Sequence, residues 1–427
     1  MTEGVALHVV VVGGGFAGLA TVQALSSAPV RITWIDRRNH HLFQPLLYQV
    51  ATAGLAPSDI AEPLRAIVSG QANVSVRGAE VVRLDLDRHE IELAEGVRIG
   101  FDRLVLATGA RHAYFGHPEW ETFAPGLKTI GDALEIRRRV LAAFEAAEWC
   151  DDPEERAAWL TFVVVGAGAT GVELAGALRE IAFHTLRNDF RRFDSRSARV
   201  LLVEAGKEVL PSMPAPCRES ATRQLTRLGV ELKMETMVVD VDATGVTLGK
   251  DRERLRARTV LWAAGVQASR LGALTSAPVD PQGRVRVLPD LSVPGHPDVL
   301  AVGDLAHVAQ DGGLVPGVAP AATQMGQHAA RVILADIERV PRPVFRYWDK
   351  GTMATIGRSR AVAAVGGLHF GGLLAWLMWV FIHLVFLITF RNRLVVFFKW
   401  GVAYLTYERA SRLIWQNESE VRPPAKA

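Results

Sequence analysis

Apolar positions along this chain fall into short solid runs rather than alternation, and the runs end in glycine or in a carboxylate. HVVVV at 8–12 has strand length and passes directly into GGGFAG at 13–18. A short solid run bounded by turn residues predicts a strand. Residues 19–25 suit a helix, and VRITWI at 30–35 predicts a second strand that ends at Asp36. The succession then returns. LTFVVV at 160–165 leads into GAGATG at 166–171, and the next strand, at 200–203, ends at Glu204. LVLATGA at 104–110 and VLWAAGV at 260–266 are each a strand followed by a turn of small residues. The first glycines of the two loops lie 153 residues apart and the two small-residue turns 156 apart. Two independent features repeating at one period argue for two copies of one unit. DVLAVGDLA at 298–306 adds a strand ending in Gly303 and Asp304 after the second copy is complete, so it returns the chain to the first.

Strand, glycine turn, helix, strand and acid is the order that a dinucleotide-binding fold requires. Gly13 permits the tight turn, Gly15 lets the backbone approach a pyrophosphate, and Gly18 lets the helix pack on the strand. Asp36, 18 residues beyond Gly18, accepts hydrogen bonds from a ribose diol. Gly166, Gly168, Gly171 and Glu204 repeat the set. A carboxylate at the position of Glu204 favours the 2′-hydroxyl of NADH and repels the 2′-phosphate of NADPH. Its distance from Gly171 is lengthened by an arginine-rich extension at 180–197.

Composition narrows the classes. Across 427 residues the formal net charge is only +3, too weak a field to point to nucleic acid. Two cysteines, Cys150 and Cys217, exclude a disulfide framework and a four-thiolate site, and no metal is expected. The start, MTEGVALHVVVVGGG, has no basic region ahead of its apolar run, so the bulk of the protein is expected in the cytoplasm.

One stretch departs from the rest. GGLLAWLMWVFIHLVFLITF at 371–390 carries no charge and has the length of a membrane span. Orientation argues against a span, because Arg391, Arg393, Lys399, Arg409 and Arg412 would follow it across the membrane. A two-pass hairpin fails because residues 394–407 are too short and include Lys399. Residues 394–415 mix cations with Phe397, Phe398, Trp400, Tyr404, Tyr407 and Trp415, which suits a foot lying on the membrane surface.

Several stretches carry a specific resemblance: HLFQPLLYQVATAGLAP, GAGATGVELAGAL, LWAAGVQAS, PGVAPAATQMGQHAA and DKGTMATIGRSRAV. Together with the Gly303–Asp304 signature, they make the chain similar, from residue 8 to about 415, to type II NADH dehydrogenases of the two-dinucleotide-domain flavoprotein superfamily. The expected fold is α/β: two Rossmann-like, glutathione reductase-like domains plus a C-terminal helical membrane module. The FAD domain is expected at 1–115 and 285–345, the NADH domain at 116–284 and the membrane module at 346–427.

The resemblance implies non-covalent FAD, NADH as donor, a membrane quinone (ubiquinone or menaquinone) as acceptor, no proton pumping, and a homodimer on the cytoplasmic face of the membrane. It implies FAD contacts from Gly13, Gly14, Gly15, Phe16, Ala17, Gly18, Asp36, Arg37, Val82, Thr108, Gly109, Gly303, Asp304, Ala321 and Lys350. NADH contacts follow for Gly166, Gly168, Gly171, Glu173, Glu204 and Gly265. Glu173 is expected beside the nicotinamide, positioning it or moving a proton. Gln324 is expected at a quinone carbonyl, and Lys350 near flavin and quinone as a stabilising cation. Pro320 replaces the first glutamine of the family's AQxAxQ motif.

The rivals are a sulfide:quinone oxidoreductase, a reductase of a carrier protein, and a nicotinamide-sensing protein without turnover. Residues 39–55 contain no cysteine, which excludes a dithiol relay. Cys150 and Cys217 are poorly placed for sulfide chemistry.

Overall fold

The computed structural model describes residues 6–249, 251–406, 409 and 411–414. The chain forms two compact units. One takes the residues up to Leu42, with Ala61–Arg111 and Val266–Lys350; the other takes Phe43–Ile60, His112–Gly265 and the described residues from Gly351 onward.

In the first unit a six-stranded sheet runs in the order Ser292–Val293, His296–Ala301, Arg103–Leu106, Leu7–Val12, Val30–Asp36, Val74–Gly78. All neighbours are parallel except the first pair. Val9, Val10, Val11, Ile32, Leu104 and Val105 are buried, as a sheet covered on both faces demands. Helix Ala319–Glu338 closes on helix Phe16–Ala24. The approach needs a glycine: a Cβ at Gly326 would lie 2.1 Å from the Ala17 carbonyl oxygen. The hydroxyl of Thr21 donates to the Gly326 carbonyl at 3.0 Å and fixes the crossing.

In the second unit a parallel sheet runs Val230–Lys233, Arg199–Val203, Thr161–Val165, Thr259–Trp262. Residues 352–371 add an antiparallel sheet of Thr352–Gly357, Arg360–Val365 and Leu368–Gly371. Its first strand lies on helix Ala169–Glu180, where a Cβ at Gly176 would fall 1.8 Å from the Ile356 carbonyl oxygen. That approach brings the backbone of Thr355 to Glu173.

The uncharged stretch forms helix Gly372–Phe386, which spans 15 residues. At about 1.5 Å per residue it covers roughly 22 Å, short of a bilayer core of about 30 Å. Among the described residues no helix is long and apolar enough to cross a membrane. The helix stops because Leu387 turns extended, at ψ 137°, and its carbonyl accepts from Arg393 Nε at 2.8 Å. Thr389 Oγ1 then accepts from the Asn392 backbone at the start of helix Phe390–Thr406. Ala375 packs on Ala361 and Ala363, and Trp379 is also buried. Leu373, Leu374, Leu377, Phe381 and Phe386 stay exposed. One packed face and one bare face explain why the stretch is apolar all round. Lys399 is tied to the buried carboxylate of Asp59 at 2.6 Å. Tyr407 and Trp415, named with the foot, lie outside the described residues.

Candidate functional site

The first glycine loop has the form of a cradle that a diphosphate would fit. Gly13 has φ 118° and donates to the Ile35 carbonyl at 2.7 Å. A Cβ at Gly18 would lie 1.9 Å from the Gly13 carbonyl oxygen, whereas one at Gly15 would meet nothing within 4 Å. The loop is therefore tight on its inner side and open where a pyrophosphate would lie. Asp36 Oδ2 accepts from the Gly14 N–H at 2.6 Å and Oδ1 from the Arg38 N–H at 2.7 Å. Arg37 pairs with Glu80 at 3.5 Å. Gly303, at φ 69°, sits against Ala17 and Ala322, and Asp304 follows in the turn Gly303–Leu305. Ala321 is buried one residue before Ala322.

Among the described residues the hydroxyl of Thr108 is buried without a hydrogen-bond partner, beside Gly109 at φ 63°. An open glycine turn, a strand-end carboxylate and an orphaned hydroxyl fit a resident dinucleotide cofactor. Val82 stands exposed on strand Val81–Asp85.

The second loop reproduces the first. Gly166 has φ 99° and donates to the Val203 carbonyl at 2.7 Å; a Cβ at Gly171 would lie 1.8 Å from the Gly166 carbonyl oxygen. A Cβ at Gly168 would meet nothing within 4 Å. Glu204 Oε2 accepts from the Ala167 N–H at 2.7 Å and Oε1 from the Gly206 N–H at 2.7 Å. Gly265, at φ 147°, ends the turn after strand Thr259–Trp262.

Glu173 lies in the first turns of helix Ala169–Glu180 and is half-buried on a cavity of about 130 Å³ within the second unit. Its carboxyl is pushed up to about 8 by burial, against one backbone N–H from Thr355. Trp376, Trp379, Trp400 and Tyr404 give the cavity an aromatic wall. Trp379 Nε1 is buried without a hydrogen-bond partner among the described residues. The Tyr48 phenol is pushed up by burial, then by the charges of Glu173 and Glu180. Arg409 reaches the cavity, pairs with Glu180 at 3.3 Å and donates to the Thr52 carbonyl at 2.6 Å. A neutral acid, an orphaned indole N–H and aromatic walls suit a flat acceptor with carbonyl oxygens.

Gln324 and Lys350 belong to the first unit and are placed by Trp348. The Gln324 amide donates to the Trp348 carbonyl at 3.0 Å and accepts from the Trp348 N–H at 2.9 Å. Gln324 thus clamps the Trp348 backbone with both amide atoms, which the sequence did not foretell. Lys350 is exposed, with its ammonium 5.3 Å from the centroid of the Trp348 ring.

Residues that sequence reasoning missed include His41, which is buried and hydrogen-bonds the Gly14 carbonyl through Nδ1 at 2.8 Å. Burial holds its pKa down at about 4, so the ring is neutral and Nδ1 carries the hydrogen. Tyr48, Gln49, Trp379 and Arg409 were missed as well. Gln49 accepts from Trp400 Nε1 at 2.7 Å. For His41, Tyr48 and Gln49 the signal was their polarity inside HLFQPLLYQVATAGLAP, which an apolar context makes unusual; Trp379 and Arg409 carried none.

Residues 7–326 match the pyridine nucleotide-disulphide oxidoreductase family, and residues 349–407 match the NDH2 C-terminal domain. The chain is 44% identical to the type II NADH:quinone oxidoreductase Ndh of Mycobacterium tuberculosis, covering 97% of this chain and 92% of that protein. It is 29% identical to the type II NADH:quinone oxidoreductase of Staphylococcus aureus, over 85% of this chain and 91% of that one. The structure of NDH2 from Plasmodium falciparum in complex with NADH superposes with a TM-score of 0.87 at 18% identity, covering 96% of this chain and all of that one, a likeness of fold.

Proposed function

The chain belongs to the type II NADH:quinone oxidoreductase family, and from that premise we propose how its residues divide the work. The reaction takes NADH, one proton and a quinone to NAD⁺ and a quinol, so one proton per turnover enters from outside the donor. Bound FAD supplies the two-electron carrier between donor and acceptor. The sulfide:quinone and carrier-reductase alternatives are not favoured: Cys217 is buried and Cys150 ends a helix, both as free thiols.

Gly13, Gly15, Gly18, Asp36, Thr108, Gly303 and Asp304 would hold FAD in the parts at 1–115 and 285–345. Gly166, Gly168, Gly171 and Glu204 hold NADH in the part at 116–284, and Glu204 excludes a 2′-phosphate. Glu173 keeps a proton at neutral pH and offers it in the aromatic cavity, where the Trp379 indole N–H is a second donor to a quinone oxygen. Arg409 and Glu180 polarise the far wall. Gln324 acts by holding Trp348, and through it Lys350, on the acceptor side. Helices Gly372–Phe386 and Phe390–Thr406 lay their bare apolar faces on the cytoplasmic surface of the membrane, in a homodimer, so that a lipid-soluble quinone reaches the cavity.

The observation that carries this reading is a carboxyl raised to about 8 in an aromatic cavity beside the bare helices. The test separates the half-reactions. In stopped flow without oxygen, NADH should bleach the flavin of Glu173→Gln at close to the unmodified rate. Re-oxidation by quinone should slow roughly 100-fold, the low end for loss of a general acid. Equal slowing of both halves would remove Glu173 from the acceptor side.

A further inference from the structure

We propose that Phe115 is a stacking platform for the nicotinamide half of NADH. The inference rests on the NADH reading of the second glycine loop and adds a residue that no motif marks.

Phe115 occupies a backbone position that disfavours it. His117 N–H donates to the Tyr114 carbonyl at 3.0 Å, closing a tight turn whose central residues, Phe115 and Gly116, have φ 50° and 95°. Positive φ at both centres selects asparagine, aspartate or glycine, and a bulky aromatic there is strained. Burial does not offset the strain, since Phe115 is 68% exposed. Its neighbour Tyr114 is buried and donates its hydroxyl to the Ala124 carbonyl at 2.8 Å. The turn is held from both sides: Ala113 N–H donates to the Gly265 carbonyl at 3.2 Å, and Trp262 Nε1 donates to the Ala113 carbonyl at 2.8 Å. These bonds press the Phe115 ring onto Gly265, where a Cβ would lie 3.0 Å from Phe115 Cζ. The ring centroid is 6.4 Å from that of Trp262.

The position of this ring on the sheet points to its ligand. In the second sheet, strand Arg199–Val203 precedes Glu204, strand Thr161–Val165 leads into the glycine loop, and strand Thr259–Trp262 lies next in order. A dinucleotide crossing the carboxyl ends of such strands puts its adenosine ribose at the acid and its diphosphate at the loop. The nicotinamide half therefore runs toward the end of Thr259–Trp262, where Gly265 and the Phe115 ring stand. An exposed phenyl face there offers offset stacking to a planar ring.

The test uses the flavin-loaded, full-length protein. Phe115→Gly relieves the strain and should raise Tm by about 1–2 °C. The same variant should weaken equilibrium binding of NAD⁺, read by titration calorimetry, and raise the KM for NADH, each roughly three- to tenfold. Re-oxidation of the flavin by quinone should not change. Phe115→Tyr should restore nucleotide affinity. If the unmodified protein binds neither NAD⁺ nor NADH, the reading beneath the proposal falls and the proposal with it. If the unmodified protein binds normally and Phe115→Gly binds equally well, the proposal alone is overturned. A change in sedimentation with nucleotide affinity intact would make the ring a contact between chains and would also overturn it.

Discussion

The two glycine loops are near copies in backbone, yet the turns beside them differ in what they offer. Gly13 and Gly166 share a left-handed φ, and a Cβ at Gly18 or Gly171 would lie at almost the same distance, 1.9 or 1.8 Å, from the carbonyl oxygen of the first glycine. Asp36 and Glu204 accept from the loop at 2.6 and 2.7 Å. The small-residue turns diverge: Thr108 in the first has an orphaned hydroxyl where the second has Ala264, and Gly265 in the second carries the exposed ring of Phe115 where Gly109 is open. A buried hydroxyl left unpaired is tolerable when its partner stays bound, because desolvation is then compensated for the life of the protein. An exposed ring that makes no specific hydrogen bond suits a molecule that must leave after each turnover. On the reading proposed above, the difference separates a resident cofactor from an exchanging substrate on one architecture.

The strongest way to break this comparison is to close each loop in turn. Gly18→Ala places a methyl group 1.9 Å from a backbone oxygen and Gly171→Ala one 1.8 Å away, so neither clash is relieved by a side-chain shift. Each should cost at least about 3 kcal/mol locally. Gly18→Ala should yield protein without flavin. Gly171→Ala should keep its flavin absorbance per chain and lose NADH-driven bleaching. Loss of flavin in both would mean the copies are not independent.

A second test asks whether Glu173 is held neutral in its cavity. Its folded pKa of about 8 stands above the ordinary glutamate value of 4.5, so the folded state binds the extra proton. The stability from this group is full below pH 4.5 and is lost as pH rises toward about 8. Glu173→Gln should therefore leave urea melts unchanged at the acid end and stabilise by about 1–2 kcal/mol at the alkaline end, after discounting for partial exposure. A gain of equal size at both ends would refute the neutral acid.

A smaller effect is expected at the donor. Glu204→Ala should narrow the ratio of kcat/KM between NADH and NADPH by roughly tenfold, the value of one charged hydrogen bond. Unmodified protein that uses both donors equally would leave Glu204 as a brace for Ala167 and nothing more.

Much of this was legible because buried parallel strands and glycine turns write themselves in solid runs and fixed spacings. The cores at 8–12 and 160–165, both glycine loops and both acids stand in the structure as elements of that kind. That the uncharged stretch at 371–390 forms no spanning helix was readable only through the cations that follow it, and the break at Leu387 left no mark in composition. What escaped was tertiary. Nothing local to Tyr48, Gln49 or Trp379 says that residues 43–60 share a cavity with residues 376–409, and Gly176 reads as a helix defect until the Ile356 carbonyl is laid against it. Gln324 is a tertiary case of another kind: its motif suggested a ligand contact, and the structure adds a clamp on the Trp348 backbone that the motif does not record.

The finest test addresses the hydroxyl of Thr108 itself. Thr108→Val removes a hydrogen-bonding group while keeping the branched shape, so packing is little disturbed. In protein stripped of its flavin the buried oxygen has no partner among the described residues, and its removal should stabilise that form slightly, by about 1 kcal/mol. On the reading proposed above, the same change in the loaded protein would delete a hydrogen bond to the cofactor, and FAD should dissociate about fivefold more readily. Fivefold is about 1 kcal/mol, so the weaker binding offsets the gain: the stripped form should rise in Tm while the loaded form stays close to unchanged, a split that a purely structural threonine does not produce. Thermal melts of stripped and reloaded protein, with FAD affinity from flavin fluorescence, read both arms. NAD⁺ affinity should stay unchanged, because the corresponding position in the second copy, Ala264, carries no hydroxyl. Should both forms lose stability together, the hydroxyl belongs to the core, and the contrast between resident and exchanging nucleotide would rest on Phe115 alone.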